Sequence, residues 1–287
     1  MSKTKPEYNL ILNETSLKEL IDYKNALIKG HEQAGAYLKE KLANQDLSAM
    51  SNEKFLETLL STKKPRIFAE LSVQGKGLDW NHKELKLLGD VNVAVNVEVH
   101  DNGVWSTTDP NLKTHDKPFN GNLLFTPGVL LNGRAGPEGK PVDYDEVTTN
   151  GKIDQKKYDN LVEKRLLPLL AHANETAGKE GKPAVITMPG IGCGSFAGEF
   201  YGEMGSHLDL AMQNILKKHE KNFPNIACMY YDPYNEGENT EKNIGKIKYR
   251  VRPTEQTPDG QDKKPQLLPP EQYEEKKENL KIVLYIK

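Results

Sequence analysis

Apolar residues recur at roughly helical intervals through the first sixty positions of the chain, at Leu17, Leu20, Ile21, Leu27, Ile28, Leu38 and Leu42, the mark of helices with one apolar face. Ser16 and Glu19 have the spacing of a capping box, and Gly30 and Gly35 split the run into two short helices or one weak one. A further helix starts near Ser51, carries Phe55, Leu56, Leu59 and Leu60, and stops at Lys63-Lys64-Pro65. The pattern predicts a helical N-terminal lobe over 1–64 that covers or borders a main domain over 65–287. Beyond the lobe the period changes to two. Residues 66–73 can form a strand. Residues 91–99 alternate strictly, placing Val91, Val93, Val95, Val97 and Val99 on one face. His100-Asp101-Asn102-Gly103 reads as a turn into a hairpin partner at Val104-Trp105, and 122–131 is a buried run interrupted by Pro127-Gly128.

The second half alternates between the two periods. A polar loop over 132–151 leads into an amphipathic helix over 154–174, with Tyr158, Leu161, Val162, Leu166, Leu169 and Leu170 on one side and a kink expected at Pro168. A short strand at 184–188, a glycine-rich loop at 190–198, a helix over 199–222 and a strand at 226–231 follow. Strand, loop, helix and strand in that order make a βαβ unit. The fold class predicted is therefore α/β, with a parallel, helix-covered sheet. Residues 246–251 can add a strand, the proline-rich stretch 253–278 reads as a long surface excursion, and 279–286 looks like a closing strand.

Charge and composition then remove function classes. Lys and Arg number 39 against 41 Asp and Glu, so the basic excess expected of a protein that lives on nucleic acid is missing. No apolar run is long enough for a membrane span, and the first twenty residues lack the apolar core of a secretory signal. Two cysteines, Cys193 and Cys228, are too few for a disulfide scaffold and fit a reducing cytosol. The histidines show no metal-ligand spacing, no Gly-x-Ser-x-Gly elbow occurs, and a Walker A lysine is absent.

The sharpest chemical feature is Gly190-Ile191-Gly192-Cys193-Gly194-Ser195-Phe196-Ala197-Gly198, which follows a buried strand and enters a helix. Glycines there let backbone approach a ligand closely, and successive N–H groups with a helix N-terminus can converge on an anion. A purely structural turn is one reading. A dinucleotide site is another, because Gly192-x-Gly194-x-x-Ala197 fits the G-x-G-x-x-G/A pattern, although the first acid at a following strand end, Asp232, lies much farther along than that pattern places it. The third is a resemblance. The nonapeptide resembles the diphosphate-binding loop of macrodomains, closest to the poly(ADP-ribose) glycohydrolase branch, whose loop has the form G-x-W-G-C-G-x-F-G-G. The whole chain is similar to macrodomain-type ADP-ribosylhydrolase effectors of intracellular bacterial pathogens.

That resemblance implies a macrodomain-like, mixed and largely parallel sheet covered by helices. It implies a loop that wraps the pyrophosphate of ADP-ribose, with Phe196 in the place of the aromatic that packs on the distal ribose. The activity implied is removal of ADP-ribose from modified protein, with arginine as the linked residue, and without cofactor or metal. It also implies cytoplasmic action, after delivery into a host cell. A non-catalytic ADP-ribose reader is the alternative. Neither the triple glycine nor the Gln-Glu-Glu triplet of the glycohydrolases occurs, and Val95-Asn96-Val97 is only a fragment of the Asn-Ala-Asn stretch of macrodomains, so the acid chemistry must come from elsewhere. The densest carboxylates are Asp143, Asp145 and Glu146, with Asp154 just beyond. They sit in the loop after the 122–131 run, which a parallel sheet would bring to the same edge as the glycine-rich loop. A carboxylate there can activate water or stabilise positive charge at the ribose C1″. Asn132 and Arg134 are candidates for ribose or phosphate contact, and Asp232 and Tyr234 at the last strand end for adenine or ribose. A solvated acidic loop and a strand-capping Asp-Pro turn are the plainer readings of these residues.

Overall fold

Strand alternation in the second half builds one mixed eight-stranded sheet. The computed structural model describes residues 8–63, 80–99, 118–133, 139–234, 236–253 and the backbone of 281–284. In chain order the strands of the sheet are β1 (Tyr8–Ile11), β2 (Asn92–Val99), β3 (Phe119–Phe125), β6 (Ala184–Pro189), β7 (Ile226–Asp232), β8 (Thr240–Ile244), β9 (Ile247–Val251) and β10 (Lys281–Leu284), and a separate small hairpin is made by β4 (Thr148–Thr149) and β5 (Lys152–Ile153). The spatial order is β1-β2-β3-β10-β6-β7-β9-β8. The neighbours from β3 through β10, β6 and β7 to β9 run parallel, while β1, β2 and β8 pair antiparallel at the two flanks. The sheet is thus mixed and largely parallel, as the βαβ pattern implies. The C-terminal strand β10 lies between β3 and β6, so strands far apart in sequence become neighbours across it.

Two long helices run along one face. The first, α6 (Gln155–Glu180), is capped by the Asp154 side chain, contains Pro168 within its helical span and ends at left-handed Gly181. The second, α7 (Met204–His219), follows β6. The single helix expected over 199–222 is instead the end of a 3-10 turn (Ser195–Phe200), then α7, then a last 3-10 turn (Glu220–Asn222); Gly202, just before α7, takes a left-handed φ of 91° that a continuing helix cannot use. Tyr158, Leu161, Leu169, Leu208, Met212 and Ile215 from these helices meet Ala94, Leu124, Ile186, Met188, Met229 and Tyr231 in the main core. On β2 the face turned to α6 is that of Asn92 and Ala94, both buried, while Val93, Val95 and Val97 lie half-buried on the opposite face. The small Ala94 permits the helix to approach, and Asn92 Nδ2 donates to the Arg165 carbonyl on it.

The N-terminal helices are α1 (Glu14–Ile28), α2 (Ala36–Leu42) and α3 (Asn52–Ser61), joined after the chain re-enters by α4 (His82–Asp90). The cap of α1 is Asn13, whose Oδ1 accepts from Ser16 N at 2.8 Å. Ser16 is buried inside the first turn and uses its hydroxyl elsewhere. Ser51 caps α3 as its position predicts. The apolar faces of these helices form a second cluster, including Leu20, Leu38, Phe55 and Leu59, and this cluster also takes in Trp80, Leu85, Leu88, Leu130 and Val142. A division at residue 64 does not follow these clusters: the lobe's core is built from both sides of it, and β1 belongs to the sheet. The strand expected over 66–73, the turn and hairpin partner at 100–105, Arg134 and the proline-rich stretch after residue 253 lie outside the described residues.

Candidate functional site

Because β3, β6 and β7 share one direction, the loops that leave them emerge at one edge of the sheet. They touch there. Leu131 N donates to the Phe196 carbonyl at 2.7 Å, and Asn132 Nδ2 donates to the Ser195 carbonyl at 2.8 Å. A Cβ on Gly128 would fall 2.4 Å from Gly192 N, so the two backbones meet where only glycine fits. On the other side, Cβ at Gly190 would stand 3.3 Å from the Tyr234 ring. Tyr234 holds a left-handed φ of 62°, and its N–H is fixed by Asp232 Oδ1 at 2.9 Å. Burial, followed by the neighbouring Asp232 charge, pushes its phenol upward.

Inside the glycine-rich loop, Ile191 N, Cys193 N and Ala197 N are spent on the carbonyls of Pro189, Gly190 and Gly194. The N–H groups of Gly192, Gly194, Ser195 and Phe196 meet no acceptor among the described residues. The last three open the 3-10 turn, where backbone donors have no partner within the turn. Cys193 is buried beneath the loop, its Sγ 3.9 Å from the Tyr231 hydroxyl. Phe196 is partly buried and backs onto the helical lobe's cluster.

One expectation about this loop needs correction. The N-terminus of the following helix, α7, does not stand open to an anion. The Glu236 carboxylate fills it, accepting from Gly205 N at 2.6 Å. Burial raises the Glu236 carboxyl, and the nearby N–H groups of Gly205 and Ser206 pull against that shift. Any anion at the site is therefore left to the loop's own amides. Nothing local in the sequence marks Glu236, which lies thirty-one positions beyond the amide it caps.

The four sequence-predicted carboxylates surround α5 (Tyr144–Val147), the short helix at the end of the β3 loop: Asp143 just before it, Asp145 and Glu146 in it, Asp154 after it. They have distinct environments. Asp143 is 1% exposed, its Oδ1 and Oδ2 gripped by Arg165 at 2.9 Å each, with Leu130 N on Oδ2 at 2.8 Å. Burial works to raise its carboxyl, but Arg165, Lys86 and the Leu130 N–H together hold it below the usual carboxylate range. With both oxygens engaged inside the protein, Asp143 is an anchor for the loop rather than a group that meets substrate. Asp145 is exposed, 3.1 Å from Lys140. Glu146 pairs with Lys86. Asp154 caps α6, accepting from Lys157 N at 3.2 Å and Thr149 Oγ1 at 3.0 Å, and these hydrogen bonds keep its carboxyl low. Between the two loops, the neighbouring Glu199 carboxylate raises the Tyr144 phenol above its ordinary value. Asn132, spent on Ser195 and on Gly133 N, ties the loops together.

Arg165 is the buried charge at this edge that a reading of the loops misses. Its signal was present as a charged residue on the apolar face of a helix, between Leu161 and Leu169, where a buried cation requires acidic partners. No group of three or more His, Cys, Asp or Glu among the described residues is arranged to hold a metal ion. No helix among them is long and apolar enough to cross a membrane. The family model described as "Macrodomain effector MavL" matches residues 8–286. No curated protein matches the chain.

Proposed function

The chain belongs to the MavL macrodomain effector family, and from that premise we propose that it is an ADP-ribosylhydrolase that frees ADP-ribose from modified protein in the cytosol of a host cell. The observation that carries the reading is the set of amides at Gly192, Gly194, Ser195 and Phe196 that meet no acceptor among the described residues, pressed against the loop that bears the carboxylates. A diphosphate fits such a run because each N–H directs a partial positive charge at it, with no lysine or arginine needed. Phe196, backed by the lobe, offers a ring to the distal ribose. Asp232 and Tyr234 border the adenosine side, where Tyr234 packs over Gly190.

The chemistry we assign to Asp145, Glu146 and Asp154 is that of carboxylates around the ribose C1″. As the glycosidic bond opens, positive charge builds on the ring, and an ionised carboxylate stabilises it or orients the attacking water. Asp154, kept ionised by its hydrogen bonds, suits the second role. The arginine linkage suits this set, because its guanidinium departs as neutral guanidine without a proton from a general acid, whereas a serine alkoxide would need one. One observation favours the reader alternative: each of these carboxylates also has a structural partner, Lys140, Lys86 or the α6 cap. Release of ADP-ribose from arginine-, glutamate- and serine-linked protein, measured beside ADP-ribose binding, decides between the two. Release from the arginine-linked substrate is expected. Binding without release from any substrate establishes the reader, and absence of binding overturns both.

A further inference from the structure

The buried guanidinium of Arg165 joins three parts of the molecule. It is 2% exposed on α6. Beyond its two bonds to Asp143, Nη1 donates to the Gly128 carbonyl at 3.1 Å and Nε to Asp90 Oδ1 at 3.2 Å. Gly128 and Asp143 both belong to the loop after β3, and Gly128 is the residue that touches Gly192 in the anion loop. Asp90 ends α4 in the helical lobe. There it also accepts from Ser16 Oγ on α1 at 2.7 Å and pairs with Lys164 Nζ at 2.6 Å. Gly89 leaves the space for this contact, since a Cβ on it would lie 2.7 Å from Arg165 Nη2.

We infer that Arg165 is the positioning residue of the anion loop and that, through Asp90, the helical lobe is a working part of the ligand site. The inference rests on the proposed reading that residues 190–198 hold a diphosphate. A guanidinium presents its donors in a rigid planar fork, so three acceptors bound at once are fixed relative to one another. Lysine keeps the charge but has no such fork. Gly128 is held from one side by this fork and from the other abuts Gly192 N, so a displacement at Asp90 reaches the loop amides through two contacts. An ångström of misplacement in a preorganised site is enough to cost up to about 100-fold.

Two variants test this, Arg165→Lys, which keeps the charge, and Asp90→Asn, which alters only the lobe side and touches neither loop. Hydrogen exchange on the unliganded variants, followed by mass spectrometry, should show faster exchange at 128–131 and 191–197 and wild-type exchange in β6 and β7. Calorimetry with ADP-ribose should show a Kd at least about tenfold weaker at unchanged stoichiometry, since unfolding lowers the number of sites rather than their affinity. A network that only stabilises the fold would lower the unfolding midpoint and leave loop exchange and Kd at wild-type values. That result overturns the inference. Should Arg165→Lys fail to fold, Asp90→Asn alone decides. A wild-type protein that does not bind ADP-ribose overturns the functional reading, while loop exchange still settles whether Arg165 positions the loop.

Discussion

At residue scale, the glycines of the 190–198 loop are not interchangeable. Gly192 has a φ of 78°, and a Cβ there would stand 3.0 Å from Val129 N, so Gly192→Val strains the backbone and crowds its neighbour as well as filling the ligand's place. It is expected to lower stability together with binding. Gly194 has a negative φ of −86° but a ψ of −129°, outside the helical and extended regions, so valine there costs local strain without the backbone clash expected at Gly192. Gly194→Val should lower the unfolding midpoint modestly, keep the fold by circular dichroism and abolish ADP-ribose binding by calorimetry, and unchanged affinity would remove the diphosphate from this loop. Alanine at Asp145, Glu146 or Asp154 should depress single-turnover release by about 10²–10⁴-fold while leaving affinity largely intact, the pattern of a group acting in the transition state. Asp154 carries a second duty as the α6 cap. Asp154→Asn keeps a capping oxygen and should retain stability while losing turnover, whereas Asp154→Ala should lose both. Wild-type release in all of these variants would place the chemistry elsewhere.

At the scale of elements, periodicity read the strands and helices of the second half closely, because each segment there has one buried face set by its own repeat. The strand at 226–231 and the helix over 154–174 appear as β7 and α6 with modest extensions. The readings that changed depended on partners distant in sequence. The cap of α1 is Asn13 because Ser16 is drawn inward to Asp90, seventy-four positions away. The end of the β3 loop is an anchored helix because Asp143 meets Arg165 from α6. These ion pairs also set a pH response. Arg165 opposes the burial of Asp90 and Asp143, and both carboxyls lie below their ordinary value of 3.8. Between that value and the lowered one, the unfolded chain binds protons that the native protein does not. Their contribution to stability is thus complete above about pH 3.8 and is lost as pH falls further. Urea unfolding from pH 5 down to pH 2.5 should show that decline, shallower in Asp90→Asn. An equally steep decline in that variant would mean that Asp90 contributes nothing to it.

Across the whole molecule, the helical lobe and the sheet domain are joined beside the glycine-rich loop. Leu130, Val142 and Phe196 leave the loops of the sheet domain to enter the lobe's apolar cluster, and the charges of Asp90 and Arg165 cross the same boundary. A boundary drawn at residue 64 from helical periodicity does not show this, since nothing in the local sequence says that Leu130 will join the cluster of Phe55 rather than the core against the sheet. The glycine-rich loop was legible for the opposite reason: the proposed role rests on backbone amides close together in sequence, and a run of glycines announces them. The central claim is that these amides hold the diphosphate of ADP-ribose in an enclosed site, with the distal ribose against Phe196. Calorimetric titration of the wild-type protein with ADP-ribose, AMP and NAD tests it most directly. The account predicts that ADP-ribose binds more tightly than AMP, which lacks a phosphate and the distal ribose, and that NAD binds poorly because its nicotinamide meets the wall around that ribose. NAD binding more tightly than ADP-ribose, or no binding of ADP-ribose at all, would contradict it.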